Sequence, residues 1–373
     1  MTDAGRPNHR FEDIRRIAVL RGGGIGDLLS ILPALEALDA AYPDAEQVLM
    51  TTPLLASLLE GRPGPVDRLV VVPVFPDAKA PDGRGWREHE ETMEVIEKLR
   101  ADGVDLGLQL HGGGRNSNRF VNALEARHTV GCATPDAEPL ERMLPHLYYQ
   151  REASRWLEVV ELAGAPAVVT EPRVETIAAD AEAARPWILD GARGLVVVHA
   201  GATDPRRRWP AERFAAVAAE LAADGWQVLV VGDPSERELG DGIAEKAVQL
   251  AGNLPGNPEA LISSAAGRTS VNGLVGLLAA ANLVVANDSG PRHLAQALGT
   301  PTASVYWVGN LINAGPQGRR LHRVQIAWRP DCPVCGADGT NPFGRHCDHS
   351  VSWVDSVPAE AVLADARDLL AGH

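Results

Sequence analysis

Short apolar runs alternate with longer segments of helical periodicity through the first third of the chain. The runs are rich in Val, Ile and Leu and end at polar or glycine residues, which is typical of strands buried in a parallel sheet. The longer segments repeat apolar residues every three or four positions, as amphipathic helices do. The predicted elements are strands at 16–20, 47–51, 69–74 and 104–110 and helices at 27–41 and 86–102.

The same alternation restarts after a segment rich in Pro and Ala at residues 163–186. The second set of predicted elements comprises strands at 194–199, 226–231, 283–286 and 302–307 and helices at 210–224, 274–281, 290–298 and 358–370. A βαβ rhythm that restarts predicts two doubly wound α/β domains. We expect domains at 1–178 and 179–355, the second with a cysteine-rich segment at 330–350. A C-terminal helix at 356–373 is a candidate to pack back on the first domain.

Composition narrows the class of partner. The chain has 373 residues and a formal net charge of -14. This charge argues against nucleic acid as a binding partner and against extensive electrostatic binding to anionic lipid. No apolar run approaches the ~20 residues that a membrane span needs. The first residues lack the apolar core of a signal peptide. These features predict a cytoplasmic protein, and they leave peripheral membrane contact and the oligomeric state open.

A glycine-rich loop at residues 22–27 (GGGIGD) follows the first predicted strand. Glycines let a backbone turn tightly and approach a ligand closely. The loop departs from the dinucleotide fingerprint, because Asp27 stands where the last glycine is needed and its carboxylate would repel a pyrophosphate. A nicotinamide site is therefore disfavoured. Asp27 fits two compatible interpretations, a helix N-terminal cap and a general base.

Loops after the strands of the second half carry cationic and acidic groups. Residues 199–203 (HAGAT), which end at Thr203, lead into three consecutive arginines, 206–208, at a predicted helix start. Such a run is a candidate anion site, and the alternative is a solvated charge run. Glu236 follows the next strand and could accept hydrogen bonds from ribose hydroxyls, or simply open a helix.

A third loop, residues 287–293 (NDSGPRH), ends one predicted strand and opens a helix. Backbone amides of Ser289 and Gly290 at a helix start could cradle phosphate oxygens. His293 falls in the first turn of the same helix. A lone histidine is more often a packed helix residue, but its position beside a predicted anion site favours a ligand contact.

Taken in order, these motifs resemble those of glycosyltransferase family 9, the ADP-heptose:lipopolysaccharide heptosyltransferases and their relatives. The resemblance covers nearly the whole chain and rests on the Gly26-Asp27 pair with Pro33 downstream, on residues 207–210 (RRWP), and on residues 288–295 (DSGPRHLA). It implies the GT-B fold, in which two Rossmann-like doubly wound domains face a cleft. It also implies an inverting enzyme that needs no metal or other cofactor for catalysis.

The resemblance implies a role for each matching residue. Asp27 would be the base that deprotonates the acceptor hydroxyl, or an equivalent amine. Arg207 stands where the family usually has Lys, which keeps the charge but changes the geometry of phosphate binding. The implied donor set is Arg207, Ser289, Gly290, His293 and Thr203 at the diphosphate and Glu236 and Asp288 at the nucleoside. The implied donor is a nucleotide-sugar, with ADP-heptose as the family's common one.

The loop at residues 111–118 (HGGGRNSN) follows another predicted strand of the first domain. We expect its His111, Arg115 and Asn118, together with Gly26, to hold the acceptor, although ordinary turn chemistry explains such residues equally well. The expected acceptor is a lipopolysaccharide core or a small molecule. The small molecule is an alternative because the acidic first domain shows no basic surface that would bind an anionic lipid core.

Three cysteines cluster near the C-terminus. Cys332 and Cys335 form a C-x₂-C pair, Cys347 follows, and His346 and His349 flank it. Cys332, Cys335, Cys347 and His349 fit a closed structural zinc site. Free thiols in a surface loop, or a disulfide, are the alternatives. The remote Cys132 is expected to be buried.

Two other functions remain open at the level of sequence. A nucleotide-sugar epimerase of the same architecture would bind the same donor without an acceptor. A non-catalytic nucleotide-sugar-binding protein would have lost the base or the phosphate-binding residues, yet Asp27, Arg207 and His293 are all present.

Overall fold

The computed structural model describes residues 9–254, 257–341, 344 and 347–372. The chain divides into two compact units, Met1–Pro172 and Arg173–His373. The division lies a few residues before the predicted boundary between 178 and 179.

The first unit is a six-stranded parallel sheet with helices between its strands. Its strands are β1 (Arg16–Leu20), β2 (Glu46–Thr51), β3 (Arg68–Val71), β4 (Leu106–Gln109), β5 (His128–Ala133) and β6 (Arg142–Pro145). Its helices are α1 (Ile25–Ala41), α2 (Pro53–Leu59), α3 (Glu90–Asp102), α4 (Ser117–Asn122) and α5 (Glu152–Glu161). The strand order is β3-β2-β1-β4-β5-β6, and every pair is parallel.

The second unit repeats this plan. Its strands are β7 (Leu195–His199), β8 (Gln227–Val231), β9 (Ile262–Ser264), β10 (Leu283–Asn287), β11 (Thr302–Trp307) and β12 (His322–Ala327). Its helices are α6 (Ala178–Ala184), α7 (Ala211–Ala223), α8 (Arg237–Ala251), α9 (Val271–Ala280), α10 (Gly290–Ala297), α11 (Val308–Ala314) and α12 (Ala359–Leu370). The strand order is β12-β11-β10-β7-β8-β9, again all parallel.

Both units therefore share the doubly wound order 3-2-1-4-5-6, which confirms the prediction of two Rossmann-like domains. The direction of winding reverses between β1 and β4 in the first unit and between β7 and β10 in the second. In open parallel sheets, ligands bind at such a reversal, beyond the carboxyl ends of the two strands. The loops after these four strands are the ones in which the sequence placed most of its candidate residues.

Helix α6, near the start of the second unit, is absent from the predicted elements. Asp180 and Ala184 of α6 are buried, and the helix packs against α9. The contact is close because α9 has Gly276 there, where any side chain would overlap the carbonyl of Asp180. The Pro/Ala-rich composition of this region hid a short helix.

The last helix, α12, packs within the second unit. Its buried side chains Val362, Ala366 and Leu369 belong to the core of the second unit, where α12 contacts α7 and β11. Spacings of four and three residues place these three side chains on one face of the helix. That apolar face is used within the second unit. No helix among the described residues is long and apolar enough to cross a membrane.

Candidate active site

Asp27 lies in the first turn of α1, directly after the loop that follows β1. Its Oδ2 accepts the Gly24 N–H at 2.8 Å and its Oδ1 accepts Nη2 of Arg21 at 2.9 Å. Gly23 has a φ of 96°, and a side chain there would overlap the Asp27 carboxylate. The carboxylate is nevertheless half exposed, at 51%. It therefore caps the helix and still offers lone pairs to a ligand.

Arg21 is the buried support of Asp27. The residue is only 2% exposed, its Nη1 donates to the Leu110 carbonyl at 2.6 Å, and its guanidinium lies over the Trp156 ring at 5.0 Å. One end of the guanidinium is thus fixed in the core while the other holds the carboxylate. Sequence reasoning missed Arg21, although its position immediately after a buried strand was a usable signal.

His111, after β4, is tied to the Asp27 loop. Its Nδ1 accepts the Gly22 N–H at 3.3 Å and its Nε2 lies 2.7 Å from Asp77, so Nε2 carries the proton that Asp77 accepts. Asn116 also donates to Asp77, at 2.8 Å. The hydrogen bond from His111 is the main reason that the pKa of Asp77 is lowered. Asp77 lies between predicted elements, and no sequence signal marked it.

The four expected acceptor residues differ in exposure. Asn118 is fully buried, and its amide supports the loop by donating to the Glu138 carbonyl at 2.8 Å. Arg115 is 72% exposed and is ion-paired with Asp136. Gly26 and His111 remain partly exposed.

In the second unit, Asp288 is a fully buried carboxylate. It accepts hydrogen bonds from His293 Nε2 at 3.0 Å and Asn310 Nδ2 at 2.7 Å, and lies 3.4 Å from Arg207 Nη1. Burial alone would raise the pKa of Asp288, but these partners lower it, chiefly His293. Asp288 therefore holds two of the predicted diphosphate ligands in position, and its own contact with the nucleoside stays a prediction.

The ring of His293 is oriented from both sides. Arg292, which is fully buried, places Nη1 3.2 Å from His293 Nδ1. Nδ1 therefore faces a group that can only donate, and Nε2 faces a carboxylate that accepts. These two neighbours orient the His293 ring, which is still 20% exposed.

His199, the last residue of β7, links two other predicted ligands. Its Nδ1 lies 3.0 Å from the Ser289 hydroxyl and its Nε2 lies 3.2 Å from Glu236 Oε2. Burial would raise the pKa of Glu236, but the hydrogen bond and charge of His199 hold it below its usual value. His199 is buried and Glu236 is 21% exposed. A carboxylate held ionised and partly open suits a ligand that donates hydroxyl protons.

Arg207 closes a single 3₁₀ turn, Pro205–Arg207, that Asp204 caps by accepting the Arg206 N–H at 3.0 Å. The Arg207 side chain is 22% exposed. A guanidinium that is partly exposed can donate to an anion; its Nε, in contrast, is buried and has no hydrogen-bond partner among the described residues. Thr203, at the start of this loop, is exposed.

The same edge of the sheet brings these groups together. The Arg207 loop follows β7, Glu236 follows β8, and the first turn of α10, with Ser289, Gly290 and His293, follows β10. Helix N-termini carry partial positive charge and attract anions. The second unit thus combines a guanidinium, a helix N-terminus and an ionised carboxylate at one switch point, an arrangement suited to a nucleoside diphosphate.

The C-terminal segment holds a separate cluster. One ligand atom from each of Cys332, Cys335, Cys347 and His349 lies within 4.8 Å of all the others. Neighbouring separations are 3.5 Å between Cys335 and Cys347 sulfurs and 3.3 Å between Cys347 Sγ and His349 Nδ1. Ligands about 2.3 Å from one tetrahedral metal lie about 3.8 Å apart, so the spacing fits one ion. His346 lies outside the described residues.

Chemistry at the cysteines agrees with this spacing. All four cysteines of the chain are free, including the buried Cys132, so the structure does not contain the disulfide considered above. Burial would raise the pKa of the Cys332 thiol, but backbone N–H groups of Cys335 and Val334 donate to it and lower the pKa to about 6. A thiolate is the form that binds metal.

Residues 93–331 match the family model described as glycosyltransferase family 9 (heptosyltransferase). The chain is 26% identical over 336 residues to lipopolysaccharide heptosyltransferase 1 of Pseudomonas aeruginosa, with 86% of each chain covered. Among solved structures it resembles E. coli ADP-heptose lps heptosyltransferase II, with a TM-score of 0.73, 19% identity and coverage of 96% of this chain and 99% of that one.

It also resembles the iron-containing dodecameric glycosyltransferase TibC from enterotoxigenic E. coli, with a TM-score of 0.58, 12% identity and coverage of 98% of this chain and 78% of that one. At such identities the two structures show a shared fold. The family model itself covers more than half of the 373 residues. The chain therefore belongs to glycosyltransferase family 9 and is a glycosyltransferase with the GT-B fold.

Proposed function

We propose that this enzyme transfers heptose from ADP-heptose to a hydroxyl of a lipopolysaccharide core, with inversion at the anomeric carbon. Two relatives described above carry heptosyltransferase names, and one of these names includes ADP-heptose. The observation that carries the proposal is the half-exposed carboxylate of Asp27, held by Arg21 and Gly24 at the switch point of the first sheet. A small-molecule acceptor is the variant of this proposal that the acidic first domain favours.

In the proposed reaction, Asp27 accepts the proton of the acceptor hydroxyl as its oxygen attacks the anomeric carbon. The bond to the diphosphate breaks on the opposite face of the sugar, and ADP leaves. The transition state is oxocarbenium-like, so negative charge grows on the departing diphosphate. Arg207, His293 and the amides at the start of α10 stabilise this charge without a catalytic metal ion.

Each donor residue has a proposed contact. Arg207, Thr203, Ser289, Gly290 and His293 bind the diphosphate. Glu236, oriented by His199, accepts hydrogen bonds from the ribose hydroxyls. The same set explains why a divalent cation should be dispensable: the rate should stay constant when Mg²⁺ or Mn²⁺ is added to protein that carries its structural metal.

The decisive experiment replaces Asp27 with Asn. Loss of a positioned base typically costs roughly 10²–10⁴ in rate, so heptose transfer from ADP-heptose to a heptose-free lipopolysaccharide core should fall by that factor. ADP binding, measured by calorimetry, should stay within about twofold, because the donor ligands lie in the other unit. Asp39→Asn, an exposed position on the same helix, is the matched control and should retain full activity.

Two outcomes would reject the proposal. Full transfer activity in Asp27→Asn would show that Asp27 is not the catalytic base. Conversion of ADP-heptose in the absence of any acceptor would instead indicate an epimerase. The configuration of the new glycosidic bond, measured by NMR coupling constants, should be opposite to that of the donor.

We also propose that Cys332, Cys335, Cys347 and His349 bind one structural zinc ion. Three thiolates and one imidazole form a closed site, in which the ion crosslinks the chain and does no chemistry. Elemental analysis of the purified protein should give about one zinc per chain. One iron per chain would identify the bound metal as iron and not zinc, in line with the iron-containing relative. A metal stoichiometry near zero would reject the metal site. Cys335→Ser should lose the metal, whereas Cys132→Ser, in the other unit, should keep it.

A further inference from the structure

The cysteine segment contacts the loop that carries Arg207. Between the end of β12 at Ala327 and the start of α12 at Ala359, the described residues form no helix or strand, only an isolated bridge between Asp331 and Asp338. Yet this segment contains Trp353, which is fully buried. The backbone N–H of Trp353 donates to the carbonyl of Arg206 at 2.9 Å.

Arg206 is held on three sides. Its guanidinium lies 5.1 Å from the Trp307 ring and 5.4 Å from the Trp353 ring, and it donates to both carboxylate oxygens of Asp204 at 2.6–3.0 Å. Asp204 in turn caps the turn that ends at Arg207. The residue next to the proposed diphosphate ligand is therefore fixed by an aromatic clamp, half of which is Trp353.

The far side of the Arg207 loop has a second anchor in the same segment. The indole N–H of Trp209 donates to the Val357 carbonyl at 2.9 Å, and Arg213 donates to that carbonyl as well. The segment 353–357 thus holds the chain on both sides of Arg207, at positions 206 and 209.

The cysteine ligands lie just upstream of these anchors. His349 precedes Trp353 by four residues, and Cys332 is buried in the same hydrophobic core as Trp353 and Trp209. Gly339, between the ligands, packs so closely on Trp353 that any side chain there would overlap the ring. Ordering an irregular segment costs chain entropy, and a metal crosslink reduces that cost.

We propose that the metal held by the four cysteine-segment ligands preorganises the diphosphate site, with Trp353 and Arg206 as positioning residues that transmit its effect to Arg207. Metal occupancy then sets the affinity for the diphosphate and leaves the affinity for the nucleoside unchanged. A preorganised ligand set binds more tightly because less ordering is left for the moment of binding. This inference rests on the proposed function in one respect, the contact of Arg207 with the donor diphosphate.

The test compares ADP and adenosine on the full chain, with its metal and after removal of the metal by a chelator under reducing conditions. Dissociation constants are measured by calorimetry, and metal content by elemental analysis. Metal removal should weaken ADP binding about tenfold, the scale of one charged hydrogen bond, and leave adenosine binding unchanged. Adding the metal back should restore ADP affinity, while the far-ultraviolet circular dichroism stays constant.

A variant tests the same link without chelation. Trp353→Leu in the metal-loaded protein should also weaken ADP about tenfold relative to adenosine. Trp226→Leu is its matched control: Trp226 is equally buried in the same core but precedes β8, at the amino ends of the strands. It should lower the melting temperature and leave the ratio of the two affinities unchanged.

Each remaining outcome is decisive. A chain that binds no metal, or ADP affinity that survives verified metal loss, overturns the inference. Equal weakening of ADP and adenosine also overturns it, because that result indicates general loosening of the unit. If the metal-loaded protein binds neither ADP nor adenosine, the proposed donor itself is rejected, and the inference with it.

Discussion

At the scale of single residues, the site consists of exposed groups supported by buried ones. Asp27 rests on Arg21, and Arg207 and His293 rest on Asp288. Buried arginine and aspartate are costly unless they are paired, so their presence next to partly exposed candidate ligands indicates positioning rather than core packing. The supporting residue holds the geometry that the exposed residue needs for binding or proton transfer.

Arg21→Met provides the test at this scale. The variant should lower the transfer rate about 10²-fold, because a misplaced base loses much of its effect, and should leave ADP binding unchanged. Arg155→Met is the control, since Arg155 is equally buried and lies over the same Trp156 ring at 5.6 Å. It should cost similar stability and little activity. Equal losses of activity in the two variants would show that Arg21 only stabilises the fold.

At the scale of elements, the proposed ligands come from the loops after adjacent parallel strands. β7 ends in His199 and β8 leads to Glu236, and the two side chains meet because the strands are paired in register. Gly201 makes room for this contact, since a methyl group there would overlap the Glu236 carboxylate. A glycine after β7 is thus required by a side chain from the next loop.

Gly201→Ala should therefore displace Glu236 without disturbing the backbone, because the overlapping atoms are at the end of a flexible side chain. We expect ADP to bind about tenfold more weakly and the preference for ADP over 2′,3′-dideoxy-ADP to disappear. Calorimetry with both nucleotides measures this. Gly242→Ala, in α8 with open space around it, should leave both affinities unchanged. A retained preference in Gly201→Ala would show that Glu236 does not contact the ribose.

At the scale of the whole molecule, charge makes stability depend on pH. The chain carries 49 acidic residues against 35 lysines and arginines. Most of the acidic groups are at the surface, but Asp288 is fully buried and its pKa is below the usual value. A carboxylate with a lowered folded pKa contributes stability above its unfolded pKa of about 3.9 and loses it as the pH falls further.

The second unit should therefore lose stability steeply below about pH 4. Urea unfolding followed by tryptophan fluorescence at several pH values measures this. Asp288→Asn should be less stable at pH 7, and its stability should fall less between pH 5 and 3. The exposed Asp190→Asn should keep the wild-type dependence. Parallel curves for Asp288→Asn and wild type would reassign the acid sensitivity to other carboxylates.

Sequence by itself determined the architecture, because the buried strands have a local signature. All residues of β7, β8 and β10 are buried, and such runs must lie between two helical layers. Asp27, Arg207, Glu236 and His293 could be selected because they follow strands or open helices. Less apolar elements escaped detection: β5 contains Thr, Gly and Cys, and β6 has only four residues.

Tertiary structure alone decided which of the selected residues are exposed and which are buried. Asp288 and Asn118 look like ligands in a linear motif, but both are fully buried. Arg21, Asp77 and His199 are held in place by partners 6, 34 and 37 residues away. The pairing of Trp353 with Arg206 joins positions 147 residues apart. Burial and hydrogen bonding between distant segments depend on how strands order themselves in a sheet, and that order is not written in any local stretch of sequence.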